Sequence, residues 1–143
     1  MHVTARVEYA LRALLALAVV EPSALTANAL ADSHGLPLTF LQSILGDLRR
    51  ADLVYNQRLP HPGYRLARAA EDLTVGEVLR LVSGTRAEER AEPPEGEPSA
   101  LVDALRQVWR AADTAQHEVI DAVTLADLRD GRLPARIQAL LSP

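Results

Sequence analysis

Side chains able to carry covalent or acid–base chemistry are few in this chain, and they are not grouped. The four histidines, His2, His34, His61 and His117, fall outside any metal-ligand spacing such as His-x-x-x-His. There is no cysteine and no lysine; all 15 basic residues are arginine. Thiol catalysis, disulfides, Cys-based zinc sites, thiolate-held iron–sulfur clusters and Schiff-base or Walker-type lysine mechanisms are thereby excluded. No serine sits in a strained Gly-x-Ser-x-Gly elbow. The acids Glu88, Glu89, Glu92, Glu95 and Glu97 lie among prolines and glycines, a setting that cannot hold a carboxylate pair in fixed geometry. These residues do not build an enzyme.

The chemistry that is present is hydrogen bonding from the outside of a helix. Thr39, Gln42, Ser43 and Asp47 recur at three- and four-residue spacing and share one face, while Leu38, Leu41, Ile44, Leu45 and Leu48 share another. A helix with short polar residues near its start enters the roughly 12 Å major groove and brings them to base edges. The Gln42 amide has the donor–acceptor geometry for adenine, and the Thr39 and Ser43 hydroxyls suit bases or phosphates. Downstream, Arg58 is placed to reach phosphates or a narrow minor groove, and Arg65 and Arg68 flank the same hairpin. Arg49 and Arg50 close the same helix, where cations favour its dipole.

These residues must be held by elements, and the pattern predicts them. A first helix starts after Thr4, with Val7, Leu11, Leu14, Leu15 and Ala18 on one face, and ends at Glu21-Pro22-Ser23. A short second helix follows Thr26, turning Ala27, Leu30 and Ala31 inward, and closes at Gly35. Leu36 alone separates Gly35 from Pro37, which suits the first turn of the third helix. Two short helices across a tight glycine turn form a helix-turn-helix. Residues 53–57 and 64–66 flank a Pro/Gly turn, 58–63, and read as a hairpin; in this position it is a wing. Thr74 and Glu77 fit a capping box opening a fourth helix to about Val82. Residues 84–98 (GTRAEERAEPPEGEP) read as a solvated acidic loop. From Ser99 a long helix carries Leu101, Leu105, Val108, Ala112, Ala115, Val119, Ala122 and Ala126 at heptad spacing, with Val102, Trp109 and Val123 on an adjoining stripe. Two stripes on one long helix imply two surfaces: the chain's own domain and a second copy. Thr124 and Asp127 offer a restart after Val123, closed by Gly131.

Composition bounds this reading. The 143 residues include 24 alanines and 24 leucines, with aromatics only 3%, so a mainly helical fold with a small β-wing is expected rather than a sandwich or barrel. No segment reaches the roughly 18–20 apolar residues of a membrane span, and no basic leader precedes a long apolar stretch, so a cytoplasmic protein is expected. The formal net charge of −4 opposes nucleic acid at first sight. It is uneven, however. Residues 1–70 hold seven arginines and five acids, a net of +2, whereas residues 71–143 hold eight arginines and fourteen acids, a net of −6.

The segments Thr4-Ala-Arg-Val-Glu-Tyr-Ala-Leu-Arg-Ala-Leu, Gly35 to Val54 and Gly63-Tyr-Arg-Leu-Ala-Arg resemble, in order, the first helix, recognition helix and wing exit of the Rrf-two-type winged-helix regulators. Thr74 to Gly84, Val108-Trp109 and Thr124-Leu-Ala-Asp-Leu are similar to further segments of that bacterial family, which includes the iron–sulfur-cluster regulator and the nitric-oxide-sensing repressor. The resemblance covers residues 1 to about 130. It implies a homodimeric transcription factor, with Pro37, Thr39, Phe40, Gln42 and Arg58 at family DNA-contact positions. Thr26, Ser43, His61 and Arg65 complete the candidate DNA-facing set. Leu101, Leu105, Val108, Trp109, Ala112, Val119 and Val123 form the candidate dimerisation set. Two departures stand out: the wing reads Leu59-Pro60-His61-Pro62 where glycines are usual, and the cysteines that hold a cluster in many members are absent. Glu8, aligned with an acidic position used for clusters in some members, reads instead as a surface charge beside Arg12.

The expected organisation is a winged helix-turn-helix domain over 1–83, the acidic loop over 84–98, and a dimerisation helix with short C-terminal helices over 99–143. The expected function is that of a repressor that binds a roughly palindromic stretch of double-stranded DNA as a homodimer, without a cofactor and without a membrane. Its signal is left open between a small molecule, a protein partner and none at all, with candidate effector pockets between the long helix and the winged domain. The other reading is a winged-helix module that binds protein and does not bind DNA specifically.

Overall fold

The computed structural model describes residues 3–83 and 99–143. The expected acidic loop at 84–98, and Gly84 as a helix stop, lie outside the described residues. In chain order the elements are α1 (Ala5–Val20), α2 (Ala27–His34), α3 (Leu38–Arg50), β1 (Val54–Gln57), β2 (Gly63–Leu66), a 3₁₀ turn (Ala70–Asp72), α4 (Val75–Ser83), α5 (Ala100–Ile120), α6 (Leu125–Asp130) and α7 (Ala135–Leu141).

The helix boundaries follow from capping chemistry. Thr4, Thr26, Ser99 and Thr124 each accept a bond from a backbone N–H three residues on, at 3.1–3.2 Å. Gly35 and Gly131 end α2 and α6 in the left-handed conformation, at φ 62° and 67°. The capping box lies at Thr124 and Asp127, where both reciprocal bonds are made. Only half of the box expected at Thr74 forms. Thr74 Oγ1 accepts from Glu77 N at 3.1 Å, but the Glu77 carboxylate turns to Arg68. An arginine fork outcompetes a backbone N–H for a carboxylate.

α1 is the centre of the molecule. Its buried face is Val7, Ala10, Ala13, Leu14, Ala16, Leu17 and Ala18. The alanines let α3, α4, α6 and β2 approach closely, and all four pack on it. Leu30, Leu41, Ile44, Leu45, Leu48, Leu53, Leu73 and Leu125 are fully buried around it, at about 1.5–3 kcal/mol each. Leucine thus supplies the core volume that aromatics provide elsewhere. Leu38, expected on the buried face of α3, is 37% exposed. It is the first residue of its helix, whose buried face begins at Leu41.

The two strands pair antiparallel, Val54 with Leu66 through Gln57 with Gly63. A second short pairing ties the C-terminal segment to the front half. Val75 N donates to Val123 O at 2.9 Å, and Leu125 N to Leu73 O at 2.8 Å. This buries Val123, which was expected on the dimerisation stripe, inside its own chain at 6% exposure.

Candidate nucleic-acid interface

The candidate recognition element is α3, and its position is set from α1. Arg6 Nε donates to Asp47 at 3.0 Å, and Arg6 NH2 reaches Ser43 Oγ at 3.2 Å. Arg50 pairs with the other oxygen of the same carboxylate. The bond from Arg6, followed by that from Arg50, holds the Asp47 carboxyl below the usual carboxylate range, against desolvation that pushes it up. Two turns before Asp47, Phe40 sets its ring edge-on to Tyr9, centroids 5.6 Å apart, with the Arg6 guanidinium 5.9 Å from its centroid. α3 is therefore pinned at two levels along its length.

That pinning sorts the candidate residues. Thr39 and Gln42 are exposed, and neither side chain makes a hydrogen bond within the described residues. Pro37 precedes α3 as its N-cap, exposed and without a side-chain bond. Ser43 is exposed but its hydroxyl is engaged by Arg6. Phe40 is half-buried against Tyr9, so the structure gives it packing to do. Thr26 caps α2 with its oxygen, leaving its O–H proton to donate outward. Arg49, exposed at the end of α3, adds a cation on that side. Arg6 was missed from sequence, because its partners lie 37 and 41 residues away.

The wing is anchored to the turn between α1 and α2. Leu25 N donates to Tyr64 O at 3.1 Å, and Tyr64 N to Leu25 O at 2.6 Å. Gly63 makes this possible, since a Cβ there would sit 2.8 Å from the Leu25 carbonyl carbon. At the tip, Arg58 and His61 are exposed. Gln57 Nε2 donates to His61 O at 2.8 Å across the turn. The proline-bearing tip is thus closed by a side chain where glycines would close it by backbone freedom. Arg65 is half-buried, its guanidinium 5.9 Å from the Tyr55 ring centroid. Arg68, by contrast, is turned away to Glu77 and to Asp72 O at 3.0 Å.

α5 is 21 residues long, and none of them is buried. Leu101 is 83% exposed, Leu105 51%, Val108 58% and Trp109 61%. Partial burial begins only at Asp113 and continues at Gln116, Val119 and Ile120. The inner stripe expected along the whole helix is confined to its last turns. There Gly76 of α4 lets Asp121 come close, and Arg80 holds Asp121 at 2.8 Å. Ala112 is exposed with the first group, and Val119 is half-buried.

The family model described as "Iron-dependent Transcriptional regulator", Rrf2, matches residues 3–131. The chain belongs to the Rrf2 family. A Mycobacterium tuberculosis chain, assigned to the HTH-type transcriptional regulators under the designation Rv1287, is 35% identical over 146 residues, covering 98% of this chain and 88% of its own length. Among solved structures, CymR, the global cysteine regulator of B. subtilis, superposes with a TM-score of 0.78 at 25% identity, over 93% of this chain and 99% of that one. IscR of T. potens gives 0.74 at 26% identity, with 96% of each chain covered. This Rrf2-family protein is a DNA-binding transcriptional regulator with a winged-helix fold, not an enzyme. No described helix is long and apolar enough to cross a membrane.

The iron in the family's description does not fit these side chains. A thiolate-held cluster needs cysteines and the chain has none. Among the described residues no three His, Cys, Asp or Glu side chains converge on a point. Glu8 pairs with Arg12 at 3.1 Å.

Proposed function

We propose that this Rrf2-family regulator works in the cytoplasm as a homodimeric repressor, binding a roughly palindromic operator without an iron–sulfur cluster. The observation that carries the reading is α5, a helix of 21 residues with none buried and an apolar stripe facing out. Such a stripe is covered most simply by its twin on a second copy. A two-fold axis through paired α5 helices then presents two α3 helices to DNA, and half-sites spaced by one helical turn or a multiple follow. On each half-site Gln42 and Thr39 face base edges, with Pro37 and Ser43 beside them. Thr26 reaches a phosphate, and Arg58 and His61 approach from the wing. A bound dimer covers its site, which is sufficient to block transcription. An effector, small molecule or protein, acts by changing the angle between the two winged halves.

The test combines light scattering with gel shifts on the protein's own promoter across a salt series. The expected result is a dimer whose log affinity falls linearly with log salt, by about 0.9 per phosphate contacted. A monomer at micromolar concentration, or binding that ignores salt and sequence, overturns the reading and favours a protein-binding module.

A further inference from the structure

The turn between α1 and α2 and the wing enclose a hollow of about 440 Å³, lined by Pro22, Ser23 and Ala24 on one side and by Gln57, Pro60, His61 and Arg65 on the other. Both walls are fixed, because the Leu25–Tyr64 pairing ties them together beside it. No carboxylate lines this hollow, and Arg65 has no acidic partner among the described residues. The Arg65 Nε–H is buried with no hydrogen-bond partner. Its one bond runs from NH1 to Gln57 Oε1, at a long 3.4 Å. Gln57 cannot turn to improve it, since its Nε2 is engaged by His61 O.

Guanidinium groups withdrawn from water are ordinarily met by an anion that accepts several N–H bonds at once. Arg65, half-buried, lines a hollow whose other walls include Ser23 and His61 and no carboxylate. We propose that the hollow at the root of the wing binds a phosphate group, with Arg65 as its main cationic partner and Ser23 and His61 as further donors. The size suits a phosphorylated small molecule; a backbone phosphate of DNA lying beside the wing offers the same chemistry. The second source rests on the DNA-binding reading, whereas the site itself does not.

The test is a titration of the isotope-labelled full chain with inorganic phosphate, without DNA, at constant ionic strength made up with chloride. Saturable NMR shifts are expected at the Ser23, Ala24 and His61 amides and at the Arg65 Nε–H. Arg65→Gln should weaken binding at least tenfold. Ser23→Phe, which fills the hollow and leaves the guanidinium in place, should do the same, and so tests the site even if the wing tolerates no change at Arg65. Shifts spread over exposed arginines such as Arg49 and Arg58 without saturation, or unchanged binding in Ser23→Phe, overturn the proposal. A duplex of arbitrary sequence is then added to the phosphate-saturated protein. Displacement with movement of the same resonances assigns the site to the DNA backbone. Retention of phosphate while the Arg58 signals move assigns it to a free phosphorylated molecule.

Discussion

In the proposed docking Gln42 and Arg58 meet DNA in different ways, and their substitutions should separate. Gln42 is an amide able to present a donor and an acceptor to one base. Gln42→Ala is expected to cost about 1–3 kcal/mol on the preferred operator, to relax preference at one base pair, and to leave the salt slope unchanged. Arg58 carries charge without base geometry, so Arg58→Gln should weaken all sequences alike and lower the salt slope by about one. Gel shifts on matched and single-base-changed duplexes, each at several salt concentrations, measure both; equal affinity for both variants and the parent would refute the docking. Asp47 acts behind them. Because its carboxyl is held below its ordinary range by Arg6, its contribution to stability is fully present above the unfolded-state value near 4 and is lost as pH falls through the lower folded-state value. Asp47→Asn should therefore lose roughly 0.5–1 kcal/mol at neutral pH, and the gap to the parent should close on acidification, as followed by urea melts from pH 7 down to 2. Exposed donors such as Thr39 and Gln42 were legible in the sequence because helical spacing decides which face they occupy. The packing of Phe40 and the engagement of Ser43 were not, because the side chains that claim them, Tyr9 and Arg6, come from another helix.

Elements that are closed by neighbours in the chain were read correctly, and those closed by distant segments were read only in part. Caps at Thr4, Thr26, Ser99 and Thr124 and left-handed stops at Gly35 and Gly131 act within four residues, so residue type alone locates them. The hairpin was legible from its Pro/Gly turn, but its attachment to Leu25 was not, since a two-residue bridge leaves no periodicity. The same holds for the Thr74–Thr124 bridge, which draws Val123 out of the dimerisation stripe and into its own chain. Gly63 is the point at which the wing attachment can be tested. A methyl group there meets the Leu25 backbone at 2.8 Å, and backbone cannot swing aside as a side-chain end can. Gly63→Ala is expected to destabilise by about 1–3 kcal/mol, lowering the melting temperature by several degrees, and to expose the Leu25 and Tyr64 amides to hydrogen exchange. A melting curve and exchange pattern identical to the parent's would show that the strap is dispensable.

At the scale of the whole molecule the charge and the long helix belong to one argument. The net −4 of the chain conceals a +2 front half, and pairing two copies would double that basic surface. α5 is about 32 Å long at 1.5 Å per residue, yet among the described residues it is partly buried only in its last turns, and Leu101, Leu105, Val108 and Trp109 stay exposed. An exposed apolar patch of that kind is the proposed dimer interface. Because these side chains are outside the core, replacing them should separate assembly from folding, which no core substitution can do. Leu105→Glu combined with Trp109→Glu is expected to give a monomer by light scattering with an unchanged far-ultraviolet circular dichroism spectrum. Operator binding should then fall by roughly 10²-fold or more, since each α3 loses the high effective concentration its twin provides, while the weak, salt-dependent binding of one winged half persists. A double variant that remains dimeric would place the interface elsewhere. One that is monomeric yet binds its operator undiminished would mean that a single winged half is the DNA-binding unit.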